Sequence, residues 1–196
     1  MPSPNRKKRP TRGKPSGIIC DMNEWIVNTD ELRAIGPSLR AGDRVRLSGT
    51  VYTARDAAHQ RLFALLDRGE ALPFDLRDAT IYYAGATPAP DGYAIGSCGP
   101  TTSGRMDGFA PRLYDLGVCA TIGKGVRDEA VADAIRRNGA VYLCAIGGAG
   151  ALAAQRITAC DVIAFDDLGC EAIRRIEMRD FPLIVGMDAA GGSMFG

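Results

Sequence analysis

An α/β domain with a largely parallel sheet is the fold this chain predicts, on three observations. In its second half, short apolar runs of strand length alternate with amphipathic helical segments. Glycine, 24 of 196 residues, collects where those strands hand over to helices. The length and the 46% hydrophobic and 24% charged composition suit one soluble globular domain with a real core.

The elements follow in order. Residues 18–42 read as a connecting segment with a short helix or turn near 29–35. Residues 43–52 form the first clear strand, because Val45, Leu47 and Val51 alternate with Arg44, Arg46, Ser48 and Thr50. Ala58, Leu62, Leu65 and Leu66 then fall on one helical face, and Thr53 with Asp56 offers a capping box at its start. A second strand covers 79–84, and a proline-rich turn follows at 87–92. Met106, Phe109, Leu113 and Leu116 predict a helix over 103–116. Strand 118–122, helix 127–137, strand 140–146, helix 149–156, strand 161–165 and an apolar segment at 182–187 complete the pattern.

The net charge of +1 hides an asymmetry. Arg6, Lys7, Lys8, Arg9, Arg12 and Lys14 give residues 1–17 a charge of +6 with no acid, leaving 18 basic against 23 acidic residues, or −5, for the remainder. Four prolines within that basic run predict a disordered, solvated tail over 1–17, ahead of a domain at 18–196. The acidic body is not built for a phosphate backbone, so no nucleic-acid partner is expected, with a nucleic-acid or targeting role for the tail as the alternative. No apolar run has membrane-spanning length, and the N-terminus lacks the apolar core of a secretory signal. The expectation is a soluble, cytoplasmic protein with no membrane partner. The six cysteines show no C-x-x-C spacing, and several sit in strand-like runs, as reduced core cysteines of an intracellular protein do. With His59 the only histidine, no metal site is expected from this chain alone.

The chemistry gathers at the glycine loops, 96–104, 123–125 and 147–150. Helix N-termini there offer unpaired N–H groups, and open α/β sheets bind ligands at the carboxyl ends of their strands. Arg55 and Arg105 each open a helix and Lys124 sits in a Gly-Lys-Gly loop. Two guanidiniums and one ammonium suit a small dicarboxylate. A nucleotide is a poorer match, since neither a P-loop nor a dinucleotide fingerprint is present. Simpler roles compete: Arg55 paired with Asp56, Arg105 paired with Asp107, Lys124 merely solvated, and Thr101 and Thr102 as helix caps. His59 lies four residues after Arg55 on the same helical flank, and either a site role or a structural one fits it.

Two longer segments carry a resemblance. Residues 48–59, Ser-Gly-Thr-Val-Tyr-Thr-Ala-Arg-Asp-Ala-Ala-His, and 99–107, Gly-Pro-Thr-Thr-Ser-Gly-Arg-Met-Asp, resemble the signature segments of the β region shared by class I fumarate hydratases and L(+)-tartrate dehydratases. Ile-Gly-Lys-Gly at 122–125, Gly-Gly-Ala-Gly-Ala-Leu at 147–152 and Asp-Phe-Pro-Leu-Ile-Val at 180–185 fit the same pattern. The chain departs from it at Ala86, where proline is expected, and at Gly191-Gly192, where Gly-Asn is expected.

The resemblance implies a single swivelling β/β/α domain with a mixed, partly parallel sheet. It implies an α-subunit partner in a hetero-oligomer, whose cysteines hold a 4Fe–4S cluster with one open iron acting as a Lewis acid. Carried over by position, Thr101 matches the base that moves the carbon-bound proton, and Arg55, Arg105 and Lys124 match binders of the substrate carboxylates. Thr102 and His59 lie inside the two motifs and join the expected substrate-binding set. The implied activity is reversible hydration of fumarate to (S)-malate. L(+)-tartrate dehydration is the nearest alternative, and a non-catalytic dicarboxylate-binding module is another.

Overall fold

The computed structural model describes residues 23–148 and 150–195, so the predicted basic tail and Cys20 lie outside the described residues. Among the described residues, seven strands form one mixed sheet. They are β1 (Glu24–Asn28), β2 (Arg44–Thr53), β3 (Thr80–Tyr82), β4 (Ala120–Gly123), β5 (Val141–Cys144), β6 (Ile157–Ala164) and β7 (Ile173–Met187). Helices α1 (Leu32–Ile35), α2 (Asp56–Arg68), α3 (Ala110–Asp115), α4 (Glu129–Asn138) and α5 (Gly150–Ala154) lie between them.

Strands β2, β3, β4 and β5 pair in parallel, and β7 runs antiparallel to both β2 and β5. These pairings close a five-strand circuit. One apolar cluster draws Val45, Leu47 and Val51 from β2, Tyr82 from β3, Ile122 from β4, Leu143 from β5 and Phe181, Leu183 and Val185 from β7. Because all five strands contribute to it, this cluster fills the inside of the circuit. Alternate residues of the same strands, Ile81 and Tyr142, join a second cluster with Leu62 of α2, Leu113 of α3 and Ile135 of α4. The helices therefore cover the outer flank of the sheet.

The N-terminal connecting segment holds a strand, β1, after which a 3-10 turn and α1 occupy the predicted helical stretch. Five residues, with one of them fully buried, carry too short an alternation to be read. The helix expected over 103–116 divides into a 3-10 turn, Ser103–Met106, and α3. Pro111 cannot donate to Asp107, and Gly104 and Gly108 weaken the helix between them. Helix 149–156 contracts to α5, while strand 161–165 extends backward to 157. The apolar segment 182–187 is the end of a 15-residue strand whose alternation slips at Asp180, φ 47°, where β7 carries one residue more than β2. That bulge hides the strand from a period-two reading. Among the described residues, no helix is long and apolar enough to cross a membrane.

Candidate active site

Arg55 follows the carboxyl end of β2, Lys124 that of β4, and Gly147 that of β5. The segment carrying Thr101 and Arg105 crosses back over these ends. Ala84 bridges Pro100, Thr102 bridges Lys124, and the Thr101 amide donates to the Tyr83 carbonyl at 2.7 Å. The loops thus converge as the strand order requires.

Arg55 is the N-cap residue of α2, in extended conformation, so its side chain stands outside the helix. Its Nη2 lies 3.5 Å from Glu171 Oε1 and 3.9 Å from Asp56 Oδ2, and its buried Nε has no acceptor among the described residues. Arg105 meets the same Asp56: Nε donates to Oδ1 at 3.0 Å and Nη2 lies 2.8 Å from Oδ2. Arg105 Nη1 in turn lies 3.5 Å from the Thr101 hydroxyl oxygen. A chain of polar contacts therefore runs from Glu171 through Arg55, Asp56 and Arg105 to Thr101. Lys124 is half-buried and makes no ion pair among the described residues. Gly85 and Gly147 admit these cations. A Cβ on Gly85 would sit 2.8 Å from Arg55 Nη1, and one on Gly147 would sit 3.3 Å from Lys124 Cδ.

The predicted capping box at α2 does not form. Thr53 Oγ1 instead accepts from the Arg174 amide at 3.0 Å, and the Glu171 carboxylate accepts from the Ala57 amide at 2.9 Å. Glu171 thus caps the helix from the β6–β7 connection while holding Arg55, and no local pattern in the sequence marks it. Arg105 does not pair with Asp107, which holds the buried Arg127 at 2.6 Å. Thr102 sits at the N-cap of the 3-10 turn without making a side-chain cap, leaving its hydroxyl exposed.

His59 is fully buried, with its ring stacked on Phe109 and edge-on to Tyr83. Nδ1 lies 2.8 Å from the Arg55 carbonyl, which can only accept, so this nitrogen carries the proton and Nε2 is left without a partner. Desolvation pushes the imidazole down to about 4, and the bond to Arg55 offsets that only in part. The ring is therefore neutral near pH 7.

Cys98 and Cys119 are buried, Cys144 and Cys160 half-buried and Cys170 exposed, all as free thiols. Among the described residues no three His, Cys, Asp or Glu side chains converge on a metal position. The described residues do not fit a 4Fe–4S cluster.

Fold and site together define an α/β domain that brings Arg55, Arg105 and Lys124 together at the carboxyl ends of its parallel strands. The chain belongs to the fumarase C-terminus family, whose model matches residues 3–196. It is 42% identical to the aerobic class I fumarate hydratase of Escherichia coli over 185 residues, 93% of this chain and 33% of that protein. Against fumarate hydratase 2 of Leishmania major it is 41% identical over 168 residues, 85% of this chain and 30% of that protein. A Methanocaldococcus jannaschii protein provisionally named L(+)-tartrate dehydratase subunit beta is 40% identical over 163 residues, 80% of this chain and 84% of its own length. The chain thus spans about a third of the fumarate hydratases and most of the separate subunit.

Proposed function

We propose that this chain is the β component of an iron–sulfur-dependent hydro-lyase that interconverts fumarate and (S)-malate together with an α component. The observation that carries this reading is Asp56 held between Arg55 and Arg105, with Lys124 on a neighbouring loop. Two guanidiniums fixed by one carboxylate are oriented before any ligand arrives, and little ordering entropy remains to be lost on binding. Donors on Arg55 and Lys124 that are unused among the described residues leave capacity for two carboxylates.

In a hydro-lyase the difficult step removes a proton from the carbon beside a carboxylate. Negative charge then moves onto that carboxylate, where Arg55, Arg105 and Lys124 stabilise it. Thr101 is an unreactive base at the ordinary pKa of an alcohol. In this proposal the Arg105 guanidinium beside its oxygen favours the form that accepts the proton. His59, buried under Phe109, supports Arg55 through the carbonyl and does not touch substrate. The cluster belongs to the α component, and this chain is the swivelling domain that closes over it.

The experiment is to compare turnover of (S)-malate and L(+)-tartrate by the assembled pair. Preference for malate is expected, and turnover of tartrate alone would overturn the substrate assignment. Tight dicarboxylate binding by this chain alone, without hydratase activity in any assembly, would favour a binding module.

A further inference from the structure

The Arg127 side chain has no exposure to solvent, and its carboxylate partner Asp107 closes the segment that carries Thr101 and Arg105. Its Nε donates to Asp107 Oδ1 at 2.6 Å and its Nη1 to Thr121 Oγ1 at 3.3 Å, while Nη2 finds no acceptor among the described residues. The guanidinium carbon lies 5.3 Å from the Tyr83 ring centre and 4.9 Å from that of Tyr142. Each of these partners holds a loop. Asp107 Oδ2 accepts from the Asp128 amide at 2.8 Å. The Tyr142 hydroxyl lies 2.9 Å from both Ser103 Oγ and the Gly125 carbonyl. The Tyr83 carbonyl takes the Thr101 amide, and the Ser103 amide donates to the Lys124 carbonyl at 2.9 Å.

A buried arginine with one carboxylate partner among the described residues is an expensive way to fill a core, and an apolar residue of similar volume often stabilises as well or better. The expense goes into joining two segments. One carries Thr101 and Arg105, the other Lys124.

We propose that Arg127, paired with Asp107, is a positioning residue that sets the span between Arg105 and Lys124 and thereby selects the length of the dicarboxylate. The inference rests on the hydro-lyase reading above and names the residue that makes that site selective. With the clamp intact, the two loops keep one separation, which accepts a four-carbon diacid and excludes a five-carbon one. Without it, the loops relax independently and the exclusion weakens.

The test is competitive inhibition of the assembled enzyme by succinate and by glutarate. The ratio of their inhibition constants does not depend on how much of the enzyme is active. Removing Asp107 alone would strand a buried charge, so the informative variants are Arg127→Lys and the double variant Arg127→Met with Asp107→Asn. The unaltered enzyme should favour succinate. The double variant should lose at least about tenfold of that preference, the low end of what one methylene is worth in a fitted site. Arg127→Lys should retain an intermediate preference. An unchanged ratio in either variant, with turnover reduced, would make Arg127 a packing residue only and overturn the proposal. An assembly inactive with the unaltered chain would sink the hydro-lyase reading and this inference together, whereas an active one with an unmoved ratio sinks this inference alone.

Discussion

Arg105 reaches out of its 3-10 turn to place Nη2 2.8 Å from Oδ2 of Asp56, the first residue of α2. The two side chains are 49% and 27% exposed, so as an ion pair they contribute little to stability. In the proposed function their value is orientation. Arg105→Ala should leave Tm nearly unchanged and cost roughly 2–4 kcal/mol of transition-state binding, about 30- to 1000-fold in kcat/KM. Steady-state kinetics of the assembled enzyme, with thermal unfolding as the control, would check this. Wild-type turnover in the variant would remove Arg105 from the site.

Glu171 makes the opposite prediction, because it both caps α2 and holds Arg55. Glu171→Ala should lower stability by about 1 kcal/mol, the usual worth of a lost N-cap, and should also raise KM as Arg55 loses a fixed partner. Urea unfolding and kinetics on the same variant separate the two effects. A raised KM with unchanged stability would mean that the carboxylate does not cap the helix.

Burial of His59 writes a pH dependence into the fold. The unfolded imidazole titrates near 6.5 and the folded one at about 4, so between those values the unfolded chain binds the extra proton. The stability due to neutral His59 is complete above pH 6.5, falls as the pH drops, and is gone below about 4. The total is roughly 3 kcal/mol. Urea unfolding from pH 7 to 4.5 should show a shallower loss in His59→Leu than in the unaltered chain. Equal slopes would contradict the neutral, buried assignment.

The thiols should divide by exposure. Burial pushes Cys98 up to about 12 and Cys119 up to about 11, whereas Cys170 faces solvent. Iodoacetamide at pH 8 should modify Cys170 in the native protein and spare Cys98 and Cys119 until it unfolds, as peptide mass spectrometry would show. Rapid modification of Cys98 would mean that the interior of the strand circuit opens readily.

Much of the arrangement was legible from local pattern. The alternation of Val45, Leu47 and Val51 marks β2, and the spacing of Ala58 and Leu62 marks α2, because each element buries one face. The motifs containing Arg55, Thr101 and Arg105 were legible as a resemblance, and the fold brings them to one end of the strands. What could not be read depends on distant partners. β7 is long because it pairs with β2, β5 and β6, and Asp180 breaks its alternation midway. Glu171 reaches a helix 114 positions earlier in the chain. Asp107 looks like a local partner of Arg105 until the fold supplies Arg127 from 20 positions away. His59 shares a helical flank with Arg55, but that flank turns beneath Phe109.

The most direct measurement adds this chain to a separately prepared, cluster-loaded α component and follows absorbance as fumarate is consumed. Activity absent from either part alone, which appears on mixing and is lost with Arg105→Ala, is the expected result. An α component that hydrates fumarate equally well without this chain, or not at all with it, would contradict the assignment of a cationic half-site to these residues.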